Sequence, residues 1–328
     1  MQDEFEKLIL NALYEKVTDI HITLKSSCIV YFRYVGQLKQ YTEFEHTKGL
    51  KLINYIRFLS KIDMNYHWKP QTGNYIWVEG ERNYYLRVSS LPSNTTDSLV
   101  IRILNNHELL DINTISYFED TRKFLTSISQ KRHGLFIVSG ATGSGKSTTL
   151  YTLLDTIHKH SNRNIITLED PIEVVKKYCL QIQMNDGMGI TYQDTLKQVL
   201  RHDPDVIMIG EIRDKETAKL AINCALTGHL VLTTLHVGTC ITTIQRLLHL
   251  DISLLDIKET IVGVLTQTML QNKTTNKPVI LSEFMNKKNI YEYLENNISN
   301  YTTYQLHAKV LLEDDIVSKK DIKEFLDE

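Results

Sequence analysis

The residues best equipped for chemistry form one run, Gly140-Ala141-Thr142-Gly143-Ser144-Gly145-Lys146-Ser147, followed by Thr148. The pattern G-x-x-x-x-G-K-[ST] describes a phosphate-binding loop. Its glycines let successive backbone N–H groups converge on phosphate oxygens. A helix beginning at Lys146 adds the positive end of its dipole. In such a loop Lys146 reaches the β- and γ-phosphates and Ser147 ligates Mg²⁺. The chemistry implied is binding, and with a carboxylate nearby cleavage, of a nucleotide phosphoanhydride.

Carboxylates follow two apolar runs. Val206–Ile209 leads into Gly210-Glu211-Ile212-Arg213-Asp214. A carboxylate at a strand end can hold the Mg²⁺ shell or polarise water, and Glu211 stands there where an Asp is usual. Ile165–Leu168 leads into Glu169-Asp170-Pro171-Ile172-Glu173. Ligands of open α/β sheets sit at the carboxyl ends of the strands. Glu169 and Asp170 are therefore expected in the same crevice as the loop, with Glu169 as general base. Asp170-Pro171 also has the form of a helix start, and Glu173 reads equally well as a solvated helix residue. His229 and His236 bracket the run Leu230–Leu235. Opposite ends of a straight strand lie ~20 Å apart, too far to share a metal. Each reads as a neutral hydrogen-bond partner or a phosphate sensor. Arg87 and Arg102 flank a loop at 91–98. They suit a solvated strand face or salt bridge, or a cation reaching a γ-phosphate across an interface.

These side chains need a scaffold. Leu135–Val138, Ile165–Leu168, Val206–Ile209 and Leu230–Thr233 are continuous apolar runs, as in strands buried on both faces. Helical patterns at Lys146–Lys159, Tyr192–Arg201 and Lys215–Leu226 alternate with them, which predicts a three-layer α/β domain with a mainly parallel sheet. A helix over Tyr117–Gln130 precedes it. A run at Val279–Phe284 and helices near Ile290–Asn296 and Lys319–Leu326 follow. Residues 1–104 read differently. Helices at Phe5–Lys16 and Leu50–Ile62 frame strand-like runs at Ile20–Leu24, Ile29–Tyr34, Tyr75–Val78, Tyr84–Val88 and Ser98–Leu104, with turns at Gly36 and Glu79-Gly80-Glu81. The expected division is an α+β domain over 1–104, a linker over 105–116 and an α/β domain over 117–328.

Composition narrows the classes. The 328 residues are 42% apolar and 23% charged, which excludes global disorder. A formal net charge of −2 argues against a nucleic-acid coat, so no direct nucleic-acid binding is expected. Cys28, Cys179, Cys224 and Cys240 show no C-x-x-C spacing, so no zinc is expected and a reducing cytosol is. No apolar run reaches the ~18–20 residues that cross a bilayer.

Together these blocks resemble the secretion ATPases of type II secretion and type IV pilus assembly. The phosphate loop continues into Thr149-Leu150-Tyr151. Leu168–Glu173 is similar to the family's Asp box, Arg201–Ala218 to its Walker B block and Thr227–His236 to its His box. Asp19-Ile20-His21-Ile22, Phe32–Gly36 and Pro70-Gln71-Thr72-Gly73 resemble its first domain. The chain departs from the pattern at Thr72, where the family has Asp. It departs again at Gln267-Thr268-Met269-Leu270, where Gln-Arg-Leu is typical.

The resemblance implies a PAS-like domain joined to a RecA-like P-loop domain. It implies a homohexamer that hydrolyses ATP with Mg²⁺, and a polytopic inner-membrane platform protein as partner at the cytoplasmic face of the membrane. It implies arginine fingers at Arg87 and Arg102, a catalytic carboxylate at Glu169, a Mg²⁺-associated residue at Glu211, and His229 and His236 near the nucleotide. The short, zinc-free form is most similar to the ATPases of Gram-positive competence pseudopili, which serve DNA uptake. Pilus retraction, type II secretion and a nucleotide-binding scaffold with little turnover are the alternatives.

Overall fold

The computed structural model describes residues 1–15, 17–34, 37–66, 68–80, 82–93, 96–104, 111–185, 189–275, 277–297 and 300–326. The chain divides into two compact units, 1–108 and 109–328. The expected turn at Gly36, residues 81 and 94–95, and positions 105–110 of the expected linker lie outside the described residues. Ile112 and Ile115, counted as linker in the sequence, are buried among Phe124, Leu154 and Phe136 of the second unit.

In the first unit, helix α1 (Gln2–Tyr14) precedes strands β1 (Asp19–Leu24), β2 (Ser27–Tyr34) and β3 (Gln37–Glu45). Helix α2 (His46–Leu59) leads to β4 (Gln71–Glu79), β5 (Arg82–Pro92) and β6 (Asp97–Leu104). Among the described residues the strands form an antiparallel sheet in the order β3-β2-β1-β6-β5-β4. Strand periodicity puts Ile20, Ile22 and Leu24 on one face, where they meet Phe5, Ile9, Leu52 and Ile53 of the helices. Strand β3 is not legible in the sequence because it is an edge strand with most residues exposed.

Arg57 fixes α2 to the far end of this sheet. Its side chain is 3% exposed and ion-paired with Asp97. Its Nε and Nη2 donate to Ser90 Oγ at 3.1 and 2.8 Å. Arg57→Ala is expected to destabilise this unit by about 2–3 kcal/mol, because the buried hydroxyl and carboxylate lose their donors. Both tryptophans, Trp68 and Trp77, lie in this unit. A urea midpoint read by tryptophan fluorescence therefore checks the effect, and an unmoved midpoint would contradict it.

In the second unit, α3 (Glu119–Ser129) precedes β7 (Gly134–Ser139), α4 (Lys146–His160), β8 (Ile165–Glu169), β9 (Leu180–Gln183) and α5 (Tyr192–Val199). Then come β10 (Val206–Ile209), α6 (Lys215–Leu226), β11 (Leu230–Leu235), α7 (Cys240–His249) and α8 (Leu254–Thr260). The unit closes with β12 (Ile261–Gln271), β13 (Pro278–Asn286), α9 (Lys287–Asn296), α10 (Tyr304–Glu313) and α11 (Lys323–Leu326). The described strands run in the order β13-β12-β7-β11-β10-β8-β9. All neighbours are parallel except β12 and β13.

This is the expected mixed α/β architecture, with the sheet buried on both faces. Leu150, Leu153 and Leu154 of α4 meet Phe136 and Val138 on one side. Ala218, Ala221 and Leu247 meet Ile137, Ile207 and Val231 on the other. Three expectations are revised. The helix read as Tyr192–Arg201 stops at Val199 and tightens into a 3₁₀ turn at Leu200–His202. No helix starts at Asp170-Pro171, because residues 170–179 form turns. Strands β9 and β12 and helices α7, α8 and α10 are not legible in the sequence. Among the described residues no helix is long and apolar enough to cross a membrane.

Candidate nucleotide site

Strand β7 is fully buried and ends at Ser139, level with Leu235 of β11 and Thr266 of β12. The chain leaves the sheet at Gly140, with φ +141°. A Cβ at Gly140 would lie 2.2 Å from the carbonyl oxygen of Gln267, so glycine is required there. The loop re-enters regular structure at Gly145, the N-cap of α4, with φ +86°. No side chain caps α4. Its first N–H groups therefore remain available to an anion. Ser144 Oγ is buried in the loop without a hydrogen-bond partner. Lys146 is 8% exposed and donates to the carbonyls of Gly140 and Ala141 at 2.9 and 2.8 Å. Burial lowers its pKa, while the charges of Glu211 and Glu173 act in the opposite sense.

The parallel register brings the carboxyl ends of β7, β8, β10 and β11 to one edge. After β10 the turn is held by Gly210 N–H to Leu168 O at 2.8 Å, Ile212 N–H to Thr234 O at 3.0 Å and Thr234 Oγ1 to Gly210 O at 2.7 Å. Glu211, half-buried, then meets His236 Nε2 through Oε2 at 3.0 Å and Arg213 through Oε1. Arg213 Nη1 reaches Asp170 Oδ2 at 3.1 Å. Glu211, His236, Asp170 and Arg213 thus form one edge cluster, and the charge of Glu211 acts on Lys146.

Glu169 is not part of it in the expected way. The strand pleat turns Glu169 with Thr167 toward α4, and the carboxyl is 4% exposed. Thr167 Oγ1 and Gln181 Nε2 donate to its Oε1 at 2.6 and 2.9 Å, and Tyr151 Oη donates to its Oε2. Burial raises its pKa against these hydrogen bonds. The same partners hold the turn segment after β8. Val174 N–H donates to Tyr151 Oη at 3.3 Å and Gln181 Nε2 donates to Val174 O at 2.9 Å. Lys176 Nζ pairs with Asp155 of α4 at 2.8 Å. Glu173, next to the pinned Val174, is exposed.

The other expected residues sit beside β11 and on β5 and β6. His229 precedes β11 and so lies at the opposite edge of the sheet from His236. Its Nδ1 sits 2.9 Å from Cys224 O and 3.0 Å from Thr227 Oγ1, where it closes the end of α6. Arg87 and Arg102 belong to the first unit, directly opposite one another on β5 and β6. Arg102 Nε is bonded to the buried Asp19 at 2.7 Å.

Gln267 on β12 was missed as a site residue. It is 1% exposed and its amide touches both the loop and α4. Its presence in a motif that departs from the expected pattern was the available signal. Ser147 supplies a half-buried hydroxyl one residue after Lys146. A hydroxyl and the Glu211 carboxylate are hard oxygen donors of the kind Mg²⁺ takes when nucleotide phosphates complete its shell. Among the described residues no group of three or more His, Cys, Asp or Glu side chains could hold a metal unaided.

Known proteins resemble the chain along most of its length. Residues 2–320 match a family model described as "Type II/IV secretion system protein". The chain is 37% identical over 325 residues to "Competence protein ComGA" of Bacillus subtilis (strain 168), covering 92% of this chain and 91% of that one. It is 36% identical over 266 residues to "Type II secretion system protein E" of Pectobacterium carotovorum subsp. carotovorum, covering 80% of this chain but 53% of the longer relative. Among solved structures, the Legionella pneumophila ATPase DotB superposes with a TM-score of 0.79 at 21% identity, covering 98% of this chain and 95% of that one. The pilus retraction motor PilT with bound ADP superposes with a TM-score of 0.77 at 25% identity, covering 97% and 95%. The α/β unit is therefore RecA-like, as the sequence suggests.

Proposed function

This chain belongs to the type II/IV secretion system protein family and is an ATP-hydrolysing secretion motor; from that premise we propose that it drives assembly of a competence pseudopilus for DNA uptake. The observation that carries this reading is its likeness to a competence protein along nearly the whole of both chains. In this reading the protein is cytoplasmic. It works as a homo-oligomer, a hexamer, and docks on a polytopic membrane platform protein.

The roles follow from the site. Gly140–Thr148 binds the phosphates, and Lys146 exchanges the carbonyls of Gly140 and Ala141 for phosphate oxygens. Ser147 and Glu211 would hold Mg²⁺, which when bound with ATP spreads the charge of the β- and γ-phosphates. Glu211 needs His236 and Arg213 to keep its carboxylate aimed at this edge. Glu173, whose charge Lys146 feels, takes the water proton in place of the expected Glu169. Glu169 serves from behind by holding Tyr151 and Gln181, and through them the segment that carries Glu173. Arg87 is the proposed arginine finger toward a nucleotide on a neighbouring subunit, and Arg102 joins it by releasing Asp19. His229 keeps a structural role.

A site completed by a neighbour has a kinetic signature. ATP turnover per chain is expected to rise with protein concentration and then level as rings fill, and Lys146→Ala is expected to abolish it throughout. Sizing at each concentration checks the assembly state. Constant turnover per chain in a preparation that sizes as a monomer would overturn the shared site.

A further inference from the structure

Gln267 bears on the phosphate loop at several points along its length. Nε2 donates to Ser144 O at 2.6 Å, and Oε1 accepts from Thr149 Oγ1 of α4 at 2.8 Å. Its backbone carbonyl is the atom that excludes any side chain at Gly140, and a Cβ at Gly145 would come within 3.2 Å of Nε2. One buried residue of β12 therefore touches the loop where it leaves β7, near its tip, and at the start of α4. The carbonyl of a trans peptide points opposite to its N–H. Anchoring Ser144 O on Gln267 consequently aims the Gly145 N–H the other way, away from β12.

We propose that Gln267 is a positioning residue for nucleotide binding: its amide fixes the Ser144–Gly145 peptide and the first turn of α4, so that the loop N–H groups are aimed before phosphate arrives. Donors held in place need no reorganisation when the charge arrives. The inference rests on the phosphate-loop reading above. It requires a donor at position 267 and not merely bulk. Both groups that the amide bonds are neutral, a backbone carbonyl and a hydroxyl.

The test is ADP binding to the full chain by equilibrium titration, with each variant compared with wild type at the same pH. Gln267→Glu keeps the shape and the acceptor but, when ionised, has no donor for Ser144 O. Gln267→Met has neither acceptor nor donor. At about pH 8 both are expected to bind ADP roughly ten- to a hundredfold more weakly, the cost of an unsatisfied buried carbonyl. At about pH 5.5 a buried carboxyl regains its proton and can donate again. Gln267→Glu is then expected to recover to within about threefold of wild type, while Gln267→Met does not.

Thr149→Val removes only the bond that steadies the amide, and should weaken ADP binding by about three- to tenfold. Near-wild-type binding by Gln267→Met, or a Gln267→Glu deficit equal at both pH values, would overturn the proposal. Lys146→Ala separates the two levels. If that variant binds ADP like wild type, the phosphate-loop reading fails; if it binds poorly while the Gln267 variants bind normally, only the positioning role fails.

Discussion

Lys146→Ala is expected to lower ATP turnover by on the order of 10²–10³ or more, the range seen when one preorganised donor to a developing anion is lost. The argument is geometric. Lys146 is held at the base of the loop by the carbonyls of Gly140 and Ala141, with its ammonium in the fields of Glu211 and Glu173. A triphosphate entering the loop offers that ammonium anionic acceptors in place of neutral carbonyls, and charge-assisted hydrogen bonds are about twice as strong as neutral ones. Alanine leaves the glycine loop and the uncapped start of α4 able to bind phosphate weakly. Among the described residues no other cation is bonded within the loop to take over. Turnover assays with purified protein check this, and a variant that turns over within about tenfold of wild type would remove Lys146 from the mechanism.

Glu173→Gln is expected to lower kcat by about 10²–10⁴ while ATP binding persists, as for the loss of a general base. Glu169→Gln is expected to cost less than about tenfold in kcat. The two carboxylates sit four residues apart, but their surroundings differ. Glu169 is buried and each of its oxygens already accepts a hydrogen bond from the protein. A glutamine there keeps an acceptor for Thr167 or Tyr151, so much of the scaffold survives. Glu173 is exposed, and its neighbour Val174 is tied to α4 through Tyr151. Single-turnover kinetics with each variant decide between them. If Glu169→Gln is the more damaging of the pair, Glu169 is the base after all.

The sequence revealed what depends on short spacing. The loop Gly140–Ser147, its flanking strand and helix, and Glu211 at the end of β10 are each contained in a few adjacent residues. The four central strands were readable because burial on both faces leaves unbroken apolar runs. Strand β3 was not, because its edge position leaves most of its residues exposed. Gln267 was overlooked as a site residue because its meaning depends on Ser144 and Thr149, over a hundred residues earlier in the chain. In isolation a glutamine in an apolar run signals only an interruption. Glu169 reads as a base because a strand end is expected to face the crevice. The pleat continues through the last residue and turns that side chain under α4. His229 and His236 flank the same strand from opposite ends, and His236, at the carboxyl end of β11, is the one that meets Glu211.

The order of strands also bears on how the chain is made. In the first unit β1, β2 and β3 pair in succession, as do β4, β5 and β6, so most pairings form as the chain emerges. In the second unit β7 is the first strand synthesised, yet its neighbours are β11 and β12. The phosphate loop therefore leaves the ribosome attached to a strand with neither edge paired, and stays so until the residues of β11 and then β12 have followed. Domains completed early in synthesis fold first, while distant pairings fold late and leave unpaired edges open to aggregation. Gln267, which braces the loop, lies on the last of those strands. The nascent chain thus carries a recognisable nucleotide motif long before it has a nucleotide site, and ATP can steady this unit only once β12 has followed.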